Sequence, residues 1–240
     1  MVIEDLKCTP TYCHGSSSAS LISFFEWNNP GLKPTGTLLQ EDKVPYGGEL
    51  FWGIGKQGIN QHSVSVYDWP RLEHALDYVY QTVRNAWNPE SSSQKINRSI
   101  KLIQKCDLEL TDPTLEDYLK QHISAKKSSA ENSIKIEELR LQRWPSLDQW
   151  QKDLVLNPYA VLFGINYDGQ VNYSGGELCE FTIPGTVGLE CLTLFVPISK
   201  VNSVQELAAD FGKSVRILSL ESLNSEDLSQ NAQSALSYLL

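Results

Sequence analysis

Apolar positions along this chain keep two rhythms, one at each end and another between. Short apolar runs punctuated by Gly, Pro and turn residues fill positions 8 to 66, which is how strands and loops read. The run Tyr12-Cys13-His14-Gly15 predicts a first strand, and three serines follow it. In Ser20-Leu21-Ile22-Ser23-Phe24-Phe25-Glu26-Trp27, residues 21, 24 and 25 share one face of a short helix ended by Asn28-Asn29-Pro30-Gly31. Asp68 and Pro70 form a helix start, and Leu72, Ala75, Leu76, Val79 and Val83 carry helical spacing to about Ala86.

Residues 88 to 157 read as a largely helical insertion with few strand signals, broken by Ser91-Ser92-Ser93 and Ser128-Ser129. Asp112-Pro113 predicts one helix start there, and the capping box Ser146-Leu147-Asp148-Gln149 another. Strand signals return at 159–165, 178–183, 191–196 and 215–220. A helix opened by the capping box Ser203-Val204-Gln205-Glu206 and closed at Gly212 intervenes. Strands at both ends with helices between them predict an α+β fold, a single domain over 1–240 whose sheets are assembled from distant segments.

Composition narrows the partners. The 240 residues, 41% of them hydrophobic, suffice for a sizeable core, and the net charge of −9 opposes non-specific attraction to a phosphate backbone or an anionic membrane. Lys126, Lys127, Lys135, Arg140 and Arg143 are interleaved with Glu131, Glu137 and Glu138, so that stretch reads as a solvated helix face. No nucleic-acid or membrane partner is expected. Cysteines 8, 13, 106, 179 and 191 show no short CxxC spacing, which argues against a zinc site or a disulfide framework and for a reducing compartment. The N-terminus lacks a signal-peptide pattern, and no apolar run approaches the roughly 20 residues of a membrane span. The expectation is a soluble protein, cytoplasmic or secreted into a host cytosol by a route that reads other signals. HExxH, EF-hand and G-x-S-x-G patterns are missing from the sequence, so no metal is expected.

Two distant segments carry candidate chemistry. His14 and Gly15 stand at a strand end, followed by Ser16, where backbone and hydroxyl groups can converge on a ligand; the serines can equally cap the next helix. Glu177 and Glu180 stand at the head of a later strand, where regular alternation points them to opposite faces. A single carboxylate near a sugar carbon is enough to stabilise a developing oxocarbenium ion. Gly53-Ile54-Gly55-Lys56-Gln57-Gly58 matches GxGxxG, but strand-like alternation follows it instead of a helix, so it reads as a loop beside a cleft.

The order of these segments resembles that of the diphtheria-toxin-like and poly(ADP-ribose)-polymerase-like ADP-ribosyltransferases. Cys13-His14-Gly15-Ser16, the helix to Trp27, Gly31-Leu32-Lys33-Pro34, the helix with Tyr78, and Glu180-Phe181-Thr182-Ile183-Pro184-Gly185 match that order. The resemblance implies a split two-sheet fold with NAD in the cleft between the sheets. His14 would hydrogen-bond the adenosine ribose, Gly15 the carboxamide through its backbone, and Tyr78 would stack on nicotinamide. Glu180 would bind the nicotinamide ribose and stabilise the cationic transition state. Ser63 and Ser65 are similar to the Ser-x-Ser of the toxin-like branch, and Tyr67 is a rival for the stacking position. Glu177 lies three residues before Glu180 where the paired-glutamate pattern of arginine-modifying members expects two. The implied activity is mono-ADP-ribosyl transfer from NAD to a protein acceptor, as a bacterial effector whose insertion would recognise the target. A non-catalytic ADP-ribose- or protein-binding module and an NAD glycohydrolase are the alternatives.

Overall fold

The computed structural model describes residues 9–25, 30–34, 37, 46, 63–175, 180–223 and 228–240. In chain order its elements are β1 (Tyr12–Ser17), α1 (Ser20–Phe25), β2 (Gly31–Leu32), β3 (Ser63–Asp68) and α2 (Leu72–Arg84), then α3 (Pro89–Leu110), α4 (Asp117–Arg143) and α5 (Gln149–Leu156). There follow β4 (Ala160–Ile165), β5 (Asn172–Gly175), β6 (Glu180–Pro184), β7 (Val187–Gly188), β8 (Leu192–Val196), α6 (Ile198–Asp210), β9 (Arg216–Ser219) and α7 (Gln230–Ser237).

Strands from both ends of the chain form one seven-stranded sheet in the order β5-β6-β3-β1-β4-β8-β9, and β2 pairs with β7 in a separate two-stranded ladder. All neighbours are antiparallel except β8 and β9. The junction in the middle is weak. β1 pairs with β4 along its whole length, from Tyr12↔Ile165 to Ser17↔Ala160, and β3 pairs with β6 from Ser63↔Pro184 to Tyr67↔Glu180. Between β1 and β3, however, only Tyr12↔Asp68 and Cys13↔Tyr67 are paired. The sheet is therefore continuous at one corner and forked beyond it, with β5-β6-β3 on one side and β1-β4-β8-β9 on the other. Where the resemblance implies a split two-sheet fold, the described residues form one seven-stranded sheet, its two parts joined by two residue pairs, and a separate two-stranded one.

Alternation sends side chains to two cores. Val64, Val66, Phe163, Ile165 and Leu194 meet Leu21, Phe24 and Phe25 of α1 and Val204 and Ala208 of α6. On the other face Cys13, Ala160, Leu162 and Phe195 meet Leu72, Ala75, Leu76 and Val79 of α2 and Ala232 and Leu236 of α7. Every residue of β4 is buried, which is why its sequence AVLFGI is continuously apolar instead of alternating. Complete burial of one such side chain, Phe163 for instance, contributes about 1.5–3 kcal/mol.

The helical stretch differs in detail from its sequence pattern. Ser91, Ser92 and Ser93 lie inside α3, and Ser128 and Ser129 inside α4, so neither serine cluster breaks a helix. Ser92 and Ser129 are buried, Ser92 against Glu137 of the neighbouring helix. Asn88 caps α3 by accepting from the Glu90 N–H at 2.8 Å, with Pro89 in the first turn. Asp112 starts no helix; its carboxylate takes the Thr114 N–H at 2.8 Å in a turn that precedes α4. The capping box of α5 is Asp148 with Gln151, two residues beyond Ser146. Helix α6 begins at Ile198, earlier than Ser203, because Pro197 fixes its entry. Its end falls where expected: Gly212 takes φ +62°, with Gly212 N–H bonded to Ala209 O and Lys213 N–H to Ala208 O, both at 2.8 Å. Asp68 precedes a 3-10 turn, Trp69–Arg71, but makes no side-chain cap bond.

Candidate functional site

The fork between β1 and β3 is occupied by a side chain. Alternation starts His14 on the face of its cross-strand partner Phe163, but the imidazole reaches into the gap, where Nδ1 lies 2.7 Å from the Ser65 carbonyl oxygen. A carbonyl only accepts, so Nδ1 carries the proton and donates, leaving Nε2 as an acceptor when the ring is neutral. Burial lowers the His14 pKa from its ordinary 6.5, against the opposing pull of the Ser65 bond and the Glu180 charge, which favours that neutral form. The ring stands 6.0 Å from Phe163 and 6.4 Å from Tyr78, centroid to centroid, and so touches groups from both sides of the sheet.

Glu180 opens β6, opposite Tyr67 on β3 and opposite Gly175 on β5 at an irregularity in that ladder. It is only 5% exposed. Its charge acts on His14 and on Tyr67, whose hydroxyl is pushed up first by burial, then by Glu180 and Tyr78. Ser63, Ser65 and Tyr67 alternate onto the same face of β3, opposite Pro184, Thr182 and Glu180 in turn. The fold thus gathers His14, Ser65, Tyr67, Tyr78 and Glu180 around the fork, although 166 positions separate His14 from Glu180 in the sequence. Glu177 lies outside the described residues, as does the GxGxxG stretch.

The residues flanking His14 are packed into the interior. A Cβ at Gly15 would collide with the Ala75 carbonyl oxygen and come within 2.7 Å of Val79 Cγ2, so glycine here lets α2 lie directly on β1. Ser16 is buried on β1. Ser18 Oγ donates to Leu154 O at 2.7 Å and accepts from Tyr159 N–H at 3.1 Å, which bolts the β1–α1 turn to the entry of β4 and leaves that hydroxyl no capping role. Cys13 is buried beside Tyr67, its thiol pushed up by burial, and is an inert core group. Sequence reasoning missed Phe163, the floor under His14, and Thr182, buried opposite Ser65. Their only sequence signal is membership of apolar runs; cross-strand register alone puts them at the fork.

A cavity of about 350 Å³ lies elsewhere, between the C-terminal half of α2, the start of β4 and the chain end, lined by Tyr80, Arg84, Tyr159 and Tyr238 among others, and it includes none of the fork residues. Among the described residues no group of three His, Cys, Asp or Glu side chains is placed to hold a metal, and no helix is long and apolar enough to cross a membrane. The chain matches no family model, no curated protein and no solved structure.

Proposed function

We propose that the chain adopts an ADP-ribosyltransferase-like fold and transfers ADP-ribose from NAD to a protein acceptor at the β1–β3 fork. The observation that carries this reading is the convergence of one buried carboxylate, Glu180, with a tautomer-fixed imidazole, His14, and two tyrosine rings where the sheet halves separate. The donor set suits NAD: His14 Nε2 can accept from a ribose hydroxyl, Tyr67 and Tyr78 offer ring faces to nicotinamide, and Glu180 can accept from the second ribose.

The chemistry asks little more. The C1′–N bond breaks and its electron pair leaves with nicotinamide, which turns from a cationic pyridinium into a neutral ring. Positive charge passes to the ribose, where the Glu180 carboxylate in a water-poor site stabilises it more than it stabilises bound NAD. An acceptor heteroatom then bonds to C1′ and gives up its proton.

Incubation with labelled NAD and a cell extract tests the reading. Wild type should release nicotinamide and label protein, and Glu180→Gln should lose about 10²-fold or more of both rates. Undiminished rates in that variant, or neither product with wild type, would sink it; nicotinamide release without label would instead favour hydrolysis.

A further inference from the structure

Helices α3 and α4 form an antiparallel hairpin held to the body at one end. There Trp87 Nε1 and Ser92 Oγ donate to Glu137 Oε2 at 2.8 and 2.6 Å, and Arg140 Nη1 to Glu137 Oε1 at 2.9 Å. Tyr46, Trp87 and Trp144 pack around this network. Further out, Cys106, Ile123 and Ala130 are buried outside the three core clusters, in the seam between the two helices. At 1.5 Å per residue Leu110 stands about 27 Å along the helix from Ser92.

The outward face of this arm departs from the rest of the molecule. On α3 the inward stripe is Ser92, Ile96, Ser99, Ile103, Cys106 and Leu110; the opposite stripe is Arg98, Lys101, Lys105 and Leu108, at spacings of three, four and three. All four of these outward residues are exposed, Leu108 by 73%, and Tyr118 at the start of α4 is 64% exposed. Residues 91–106 hold four cations and no carboxylate in a chain of net charge −9. Lys105 has only an exposed contact with Glu109 at 3.6 Å, and Arg98 and Lys101 make no ion pair among the described residues.

From this we infer that the outward face of α3 is the docking face for an acidic protein partner, the cations meeting its carboxylates and Leu108 giving an apolar spot at the end of the stripe. The inference rests on the transferase reading only in taking that partner to be the acceptor. A protein fits better than nucleic acid: the same arm carries Glu109, 3.6 Å from Lys105, and Asp107 and Glu131, paired with Lys127 of α4, whose charges would repel a phosphate backbone, whereas an exposed apolar side chain suits a protein surface.

The test measures anisotropy of a fluorescein-labelled 20-residue peptide of Asp and Glu with interspersed Leu, and of a 20-base-pair DNA duplex, in 0.1 M salt. Wild type should bind the peptide with a dissociation constant below 100 µM. Arg98→Glu/Lys101→Glu/Lys105→Glu, whose thermal midpoint should match wild type, should bind at least tenfold more weakly. Lys126→Glu/Lys135→Glu on α4 should bind like wild type. Absence of peptide binding, equal binding by the triple variant, or tighter binding of the duplex overturns the inference. In a cell extract, absence of both nicotinamide release and protein label with wild type would remove the transferase reading and leave the docking result standing.

Discussion

At the residue scale the fork is decided by a few atoms. Gly15 has no freedom to grow: Gly15→Ala should cost about 2–3 kcal/mol in urea denaturation, because α2 must lift off β1 to clear the new methyl. His14 gives a pH signature. Its folded pKa lies below the unfolded 6.5, so as pH falls past 6.5 the unfolded chain takes up a proton that the folded chain resists. Stability associated with His14 is therefore complete above about 6.5 and declines as pH drops toward the folded value. The loss of stability between pH 7.5 and 5.5, from denaturation curves, should be smaller in His14→Gln than in wild type. The histidine and the glutamate were readable as candidates from their neighbours in the sequence. That His14 would bond a backbone carbonyl on a strand 51 positions later was not, since nothing local encodes that register.

At the element scale, local rules worked where the backbone itself closes the element and failed where packing closes it. Gly212 ends α6 because only a residue tolerant of positive φ completes that cap, and the sequence says so. The serines within α3 and α4 reverse their local meaning. Ser92 Oγ finds a buried carboxylate, and helix propensity is a weaker force than hairpin packing. Glu137 is the pivot of that packing. Glu137→Ala should destabilise by about 3–5 kcal/mol, seen as a lower thermal midpoint by circular dichroism, because it removes the buried carboxylate to which Arg140 Nη1, Trp87 Nε1 and Ser92 Oγ all donate. Arg140→Ala should be comparably costly, and the double substitution less costly than the sum.

At the scale of the whole molecule, a sheet built from both chain ends carries an arm built from the middle. Most buried large side chains belong to the sheet and its covering helices, and the arm beyond its base buries mainly its own seam. Brief chymotrypsin treatment should therefore cut first near Leu108, Leu115 and Tyr118, and the nicked protein should keep the wild-type rate of nicotinamide release. Early cuts within β4 or β8, or loss of that rate on nicking, would show that arm and sheet are not separable in this way.

The chain by itself determined the α+β class, the positions of most strands, the helical character of its middle third, and the two short segments that bear His14 and Glu180. These follow from periodicity and turn chemistry, which act over a few residues. Tertiary structure alone decided that β1 and β3 pair at only two positions, that His14 fills the resulting gap, that Tyr67 faces Glu180, and that three lysine and arginine side chains align on the free side of an arm. Those outcomes depend on register and packing between segments far apart in sequence, where burying the right faces together outweighs any local preference.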